Sequence, residues 1–218
     1  MNIILLRKVI AETLGTAFLV MIVIGSGIMG QNLSADTLSI LLANTIATGV
    51  GLTTLIWVFI AISGAHFNPA VTLVMFLRRE MSAFDALGYI TAQFLGAMLG
   101  VIVVHAMFDL TLLQSSSNFR GGVNFYLSEG IATFGLLMTI LSVRQLSLLA
   151  VAPAVGLYIA AGYWFTSSTS FANPAVTVAR GFTDSFTGID PAFILPFIGA
   201  QLIAAVVAML LMGFLLDD

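Results

Sequence analysis

The chain has 218 residues, of which 60% are hydrophobic and 8% are charged, and its mean hydropathy is +1.11. This composition lies far outside the range of water-soluble domains, so the sequence predicts an integral membrane protein with the lipid bilayer as its solvent. The formal net charge of −3 is small and the charges are scattered, so we expect no nucleic acid partner. The absence of cysteine excludes disulfides, thiol catalysis and metal sites built on thiolates.

Apolar stretches long enough to cross a membrane follow one another along the chain. A spanning helix needs about 20 mostly apolar residues. The stretches lie at about 9–29, 38–62, 84–108, 125–143, 147–166 and 191–215. The first follows Arg7 and Lys8 and resembles a secretory signal, but Glu12 interrupts it and no small-residue cleavage site closes it. We interpret it as a retained span of a single transmembrane domain over residues 1–218.

Two further segments, at 66–79 and 171–182, are too short to span a membrane. Each contains the pentapeptide Asn-Pro-Ala-Val-Thr, at 68–72 and at 173–177. Asparagine is among the best helix N-caps, and proline at the first helical position gives up a donor that would be unpaired anyway. Each pentapeptide therefore predicts the start of a short helix.

The chain also repeats itself around these pentapeptides. Two other landmarks recur in the same order, Glu12 with Glu129 and Gln93 with Gln201. Three spans per repeat is an odd number, so a second repeat at about 120–218 is predicted to be inverted relative to a first at about 1–110. The two short helices then enter the bundle from opposite faces.

Opposed half-helices imply a pore, because non-helical backbone is tolerated at membrane depth only where protein buries it or water lines it. Two helix N-termini that meet near the midplane each carry about half a positive charge. We expect Asn68 and Asn173 each to keep a free amide NH₂ group that donates to a passing oxygen. Such a constriction repels cations and orients water as an acceptor, which disfavours a proton wire.

The residues Ser63 to Thr72 resemble the first signature of the aquaporins, and Ala11 to Thr16 resemble the opening of their first span. The resemblance covers nearly the whole chain. It implies an all-α membrane bundle of six transmembrane helices and two re-entrant half-helices, arranged as a homotetramer with one pore per subunit. It also implies no cofactor, no metal and no chemical reaction. The pore residues that it implies are Asn68, Pro69, Ala70, Asn173, Pro174 and Ala175.

The same resemblance assigns a selectivity filter. Most aquaporins place an arginine directly after the second Asn-Pro-Ala, and here that position is Val176. The other filter positions correspond to Thr48, where water-specific channels use phenylalanine, to Ser170, and to Tyr163 or Ala161, depending on how the fifth span is aligned. The ring of Thr48, Tyr163, Ser170 and Val176 is expected to be less charged and wider than a water-only filter.

Four polar residues near these motifs have alternative roles. Arg180 follows Val176 by one helical turn, so it either substitutes in part for the missing arginine or flanks the outer vestibule. Glu12 and Glu129 are interpreted as braces for the half-helix loops, with proton transfer as the alternative. His66 is expected to make a structural hydrogen bond rather than to gate the pore.

Three residues elsewhere in the third span call for an interpretation. Gly96 and Gly100 have the spacing that lets helices approach closely. His105 has no partner that the sequence identifies.

The sequence favours a passive channel for water and small uncharged solutes such as glycerol-like polyols. The second signature, with valine and a late arginine, is similar to that of bacterial aquaporin-like channels associated with arsenic resistance, which adds uncharged arsenite as a solute. A water-selective channel is the first alternative. An ion-coupled transporter is the second, since inverted repeats also describe many transporters. We expect no enzyme, because no Ser/His pair or carboxylate dyad with a nucleophile shares one depth.

The distribution of basic residues predicts the orientation. With the N-terminus inside, the cytoplasmic side holds Arg7, Lys8, Arg78, Arg79 and Arg144, and the outer side holds Arg120 and Arg180. This five-to-two excess predicts that both termini are cytoplasmic, with a bacterial plasma membrane as the expected location.

Overall fold

The computed structural model describes residues 3–216, which fold into helices and loops without any strand. Six of its helical stretches are long and apolar enough to cross a membrane. The helices of these stretches are α1 (Ile3–Leu33), α2 (Thr37–Ser63), α4 (Ala83–Met107), α5 (Val123–Leu146), α6 (Val151–Phe165) and α8 (Ile194–Leu215). Short 3-10 turns precede α6 at Leu148–Ala150 and α8 at Pro191–Phe193. The predicted all-α membrane fold is confirmed.

Two short helices complete the bundle, α3 (Pro69–Leu77) and α7 (Pro174–Arg180). Each begins at the proline of an Asn-Pro-Ala-Val-Thr pentapeptide, as predicted. They contact each other as well as α4 and α8. Both half-helices are therefore largely buried among the long helices, although Phe76 and Leu77 at the end of α3 are exposed.

The connections between long helices contain residues that stop and start them. Asp36 caps α2, because its carboxylate accepts hydrogen bonds from the backbone N–H groups of Leu38 and Ser39. Ser82 caps α4 by accepting from the N–H of Asp85. These side chains satisfy donors that the first helical turn leaves without a partner. Each cap thus fixes the residue at which the chain turns back into the bundle.

The long helices alternate in direction, which defines two faces of the bundle. The face that holds the start of α1 and the end of α8 is called the terminal face, and it also holds the connections at 78–82 and 147. The opposite face holds the longer connections at 108–122 and 181–190. Helix α1 packs against α2 and α4, α5 packs against α6 and α8, and α2 and α6 join the two groups.

Candidate pore

The two half-helices meet end to end through their asparagines. The Asn68 side chain caps α3 by accepting from the N–H of Ala70 at 2.9 Å. Its amide nitrogen donates across the bundle to the carbonyl oxygen of Ala172 at 2.7 Å. The Asn173 amide donates in return to the carbonyl of Phe67 at 2.8 Å. The expectation of a fully free NH₂ group is therefore corrected, because one N–H of each amide ties the two loops together and one remains for a solute.

The loops that lead into the half-helices have strained backbones at matching positions. The residue before each asparagine has a positive φ, 49° at Phe67 and 48° at Ala172. The residue three before it also does, 53° at Ala65 and 51° at Ser170. Non-glycine residues in this left-handed region cost on the order of 1 kcal/mol each or more. Such loops persist only where the surrounding structure holds them.

Glu12 holds the first loop. Its Oε1 accepts from the N–H of His66 at 3.0 Å and from the hydroxyl of Ser63 at 2.6 Å. Its Oε2 accepts from the N–H of Phe67 at 2.7 Å and from the amide of Gln93 at 2.8 Å. The carboxylate is fully buried and both oxygens are occupied.

Glu129 makes the equivalent contacts with the second loop. Its two oxygens accept from the N–H groups of Phe171 and Ala172, both at 2.9 Å. The amide of Gln201 donates to Glu129 at 2.6 Å and to the hydroxyl of Thr177 at 2.9 Å. Neither Glu12 nor Glu129 lines the central cavity. The geometry thus matches the brace interpretation rather than the proton-transfer alternative.

A central cavity of about 360 Å³ runs through the bundle from the terminal face past the two asparagines. It ends among the four filter positions of the ring and Arg180. No residue of the connections at 108–122 and 181–190 lines it. The filter ring is therefore where the cavity closes toward the opposite face.

The structure brings the four filter positions together at that end, and all of them line the cavity. The hydroxyls of Thr48 and Tyr163 lie 3.1 Å apart and bond to each other. Tyr163 is buried and lines the cavity, whereas Ala161 is exposed on the outer surface of the bundle, a placement that favours Tyr163. The hydroxyl oxygen of Ser170 is buried and has no partner within residues 3–216. Val176 contributes only an apolar side chain.

Arg180 lies directly outside this ring. It is 2% exposed, and its Nε donates to the carbonyl of Thr187. Its guanidinium carbon lies 3.3 Å from the ring centre of Phe171. Arg120 approaches the same ring at 5.1 Å. Both cations are thus packed around one aromatic side chain.

The terminal end of the cavity is charged. Glu80 accepts from Arg144 at 2.6 and 2.7 Å and from Arg78 at 2.8 Å. The hydrogen bonds from Arg144, more than those from Arg78, outweigh desolvation and lower the pKa of Glu80 to about 2. Lys8 and Asp85 also line this mouth.

The two histidines of the chain occupy different environments. Nδ1 of His66 lies 3.1 Å from the hydroxyl of Thr72, and the residue lines the cavity. His105 is buried between the carbonyl of Leu112 at 3.0 Å and the hydroxyl of Thr183 at 2.9 Å, away from the cavity. The partner that the sequence did not identify for His105 thus comes from the connections of the opposite face.

Two residues near the pore were missed by the sequence analysis, Phe171 and Arg120. A signal exists for Phe171, because it precedes Asn173 by the same two positions as His66 precedes Asn68. No such signal exists for Arg120, because its place beside the pore depends on contacts with residues 48 to 68 positions away.

Comparison with known proteins agrees with this architecture. The sequence model of the family described as major intrinsic protein matches residues 1–147. The chain is 50% identical over 213 residues to aquaglyceroporin AqpS of Rhizobium meliloti (strain 1021), covering 98% of this chain and 91% of that protein. It is 32% identical over 217 residues to human aquaporin-1, covering 90% and 78% of the two chains.

The fold also matches a solved structure. The X-ray structure of the aquaglyceroporin from Plasmodium falciparum superimposes with a TM-score of 0.72 at 25% identity, covering 94% of each chain. The chain therefore belongs to the major intrinsic protein family, the family of the aquaporin channels.

Proposed function

We propose that this channel passes water and small uncharged solutes passively. The observation that carries the proposal is the distribution of charge along the cavity. Its charged lining residues lie at the two ends, Lys8, Glu80, Asp85 and Arg144 at the terminal face and Arg180 at the other. Between the ends, the lining consists of apolar side chains, loop backbone, the two asparagines and a few neutral polar groups such as Ser63 and His66. Among the described residues, no carboxylate to which a coupling ion would bind lines that part of the cavity.

The same distribution supports a channel over the two other classes. An ion-coupled transporter needs a coupling site at the midplane, and the two buried carboxylates there are occupied by backbone donors. An enzyme needs a nucleophile paired with a positioned base. His66 lines the cavity, but its Nδ1 is bonded to the hydroxyl of Thr72, and the nearby hydroxyl of Ser63 donates to Glu12, so the two do not form such a pair. We infer that no chemical step accompanies permeation.

We propose glycerol-like polyols as the solute class, with uncharged arsenite as a further member. Val176 leaves the filter ring without the arginine that most aquaporins place there, and its neighbours Thr48 and Tyr163 supply hydroxyl groups. Two relatives named aquaglyceroporins support this class over the water-selective alternative.

The test is a set of solute permeabilities measured on purified protein in liposomes by stopped-flow light scattering. We expect water and glycerol fluxes with low activation energy and no dependence on an ion gradient. Arsenite entry is measured separately by elemental analysis. A wild-type channel that passes water but excludes glycerol would leave the water-selective alternative, and a flux that needs an ion gradient would leave the transporter.

We further propose one channel domain over residues 1–218, with inverted repeats at about 1–110 and 120–218. The equivalent contacts of Glu12 and Glu129 support the two repeats. We propose a homotetramer in a bacterial plasma membrane with both termini in the cytoplasm, supported by family membership and by the basic residues of the terminal face. Light scattering of the detergent-solubilised protein and cysteine accessibility at the termini test these two points.

A further inference from the structure

We propose that Arg180 supplies the fixed positive charge of the outer filter from one helical turn beyond the family position at Val176. The inference rests on the proposed function and deepens it, because it names the residue that separates neutral solutes from cations. Glycerol-sized solutes pass the ring at Val176, and the cation that rejects ions stands just outside that ring.

The first observation is the direction in which the Arg180 side chain points. Side chains on a helix tilt toward its N-terminus, so a long side chain covers the turn that precedes its own Cα. Arg180 ends α7, and its guanidinium stacks at 3.3 Å on Phe171, in the loop before that helix. The side chain is therefore folded back along α7, toward the ring that contains Val176.

The second observation is that the Arg180 guanidinium keeps hydrogen-bond donors that no acceptor in the described part of the chain uses. Nε of Arg180 is used by the carbonyl of Thr187, but Nη1 and Nη2 have no acceptor within the described residues. No carboxylate among residues 3–216 forms an ion pair with Arg180. The residue lines the cavity although it is 98% removed from bulk solvent. An arginine remains protonated in proteins, so this is a fixed cation with donors left for a solute oxygen.

Arg120 shows how a structural arginine differs in the same region. Its nitrogens donate to the carbonyls of Gly188, Ser168 and Phe186, at 2.8 to 3.3 Å, and it does not line the cavity. Burial lowers the pKa of Arg120 to about 10, so it stays charged at neutral pH. Arg120 thus holds the loops and adds positive potential, while Arg180 faces the solute.

The experiment moves the charge between the two positions. Four proteins are compared in liposomes, the wild type, Arg180→Gln, Val176→Arg and the double variant Val176→Arg/Arg180→Gln, with fluxes of water, glycerol, erythritol and Na⁺. Glutamine keeps a stem on Phe171 and a donor toward Thr187 but removes the charge. We expect Arg180→Gln to raise the Na⁺ leak by at least about ten-fold, because one unit charge at close range in an effective dielectric of about 20 is worth more than a factor of ten.

The other two variants separate charge from structure. Val176→Arg places two guanidinium groups at one constriction, so water and glycerol fluxes should fall together. The double variant restores a single cation, so its Na⁺ leak should return to within about three-fold of the wild type, well inside the ten-fold effect expected of one charge. A residue that only braced the loops would lower the yield of Arg180→Gln, and the second arginine would not correct it.

Exposed Arg7, which does not line the cavity, supplies the control Arg7→Gln. A Na⁺ leak that stays at the wild-type level in Arg180→Gln would overturn the inference, and so would a double variant that leaks as much as Arg180→Gln. Failure of the proposed function is a separate result, since it would appear as a wild-type channel without glycerol flux. If Arg180→Gln does not fold, Arg180→Lys supplies the second test, because it keeps the positive charge on a different side chain. We expect a folded Arg180→Lys to keep the Na⁺ leak near the wild-type level, and a leak as large as that expected of Arg180→Gln would overturn the inference.

Discussion

At the scale of single residues, the two buried glutamates are the most informative. Each accepts hydrogen bonds from two consecutive backbone N–H groups of a loop whose backbone is strained. These N–H groups have no water to bond at this depth, and an unsatisfied buried donor costs about 1–3 kcal/mol. The carboxylate is the side chain with the acceptor capacity to satisfy two backbone donors and a glutamine amide together. Glu12 and Glu129 therefore shape the pore without lining it.

The variant Glu12→Gln tests this role. Glutamine replaces one acceptor oxygen with an NH₂ group. This group is itself a donor, so it cannot accept from the backbone N–H that the oxygen had bonded. We expect a loss of roughly 2–4 kcal/mol of stability, the cost of one to two unpaired buried donors. Thermal unfolding in detergent and the yield of monodisperse protein measure it, with Asp36→Asn as the control because asparagine caps a helix as well as aspartate. An unchanged yield together with a new proton leak would favour the proton-transfer alternative instead.

At the scale of elements, the apolar stretches predicted from the sequence match the six long helices to within a few residues at most ends. Helix α1 differs most, because it starts at Ile3 rather than at residue 9 and ends at Leu33 rather than at 29. Arg7 and Lys8 interrupt the apolar run near one end and Gln31 and Asn32 lie near the other, so hydropathy alone does not place these helix ends. The half-helix starts were predictable because a cap and a proline are local signals. Contacts made between distant elements, such as that of Arg120 with Gly188, have no local signal.

The contact between α1 and α4 gives a prediction at this scale. A Cβ atom added at Gly96 would lie 2.3 Å from the backbone oxygen of Thr13, and one added at Gly100 would lie 2.6 Å from that of Ala17. The two helices are therefore in backbone contact, and Gly96→Ala must push them apart. We expect this variant to lose on the order of 1–3 kcal/mol, as for other overpacked sites, seen as a lower midpoint of thermal unfolding.

Helix α8 supplies a matched control for that substitution. A Cβ atom at Gly199 would meet no atom within 4 Å. Alanine is a better helix former than glycine by up to about 1 kcal/mol, so Gly199→Ala should be neutral or stabilising. Equal losses in Gly96→Ala and Gly199→Ala would argue against close approach as the cause.

At the scale of the whole molecule, side chains connect the two halves at three depths. The asparagine amides exchange hydrogen bonds at the centre, and the hydroxyls of Thr48 and Tyr163 bond at the filter. At the terminal face, Glu80 after the first half-helix binds Arg144 at the end of α5. All these partners are 64 or more residues apart in the chain, so they stabilise the arrangement of the halves rather than any one element.

The ion pair of Glu80 and Arg144 gives that arrangement a dependence on pH. The pKa of Glu80 is lowered from 4.5 to about 2, which means that the folded protein stabilises the ionised carboxylate relative to the unfolded chain. The resulting stability is fully present above pH 4.5 and is lost as the pH falls toward about 2. Because the Glu80 side chain is 36% exposed, solvent screening limits the contribution to about 1 kcal/mol.

We therefore expect Glu80→Gln to unfold at a lower temperature than the wild type at pH 7, and the difference to shrink between pH 4.5 and pH 2. Asp85→Asn is the control, since Asp85 lines the same mouth and forms no ion pair within residues 3–216. A difference in unfolding temperature that is the same at every pH would mean that Glu80 acts through packing. The charge of Glu80 would then not contribute to holding the two halves together at the terminal face.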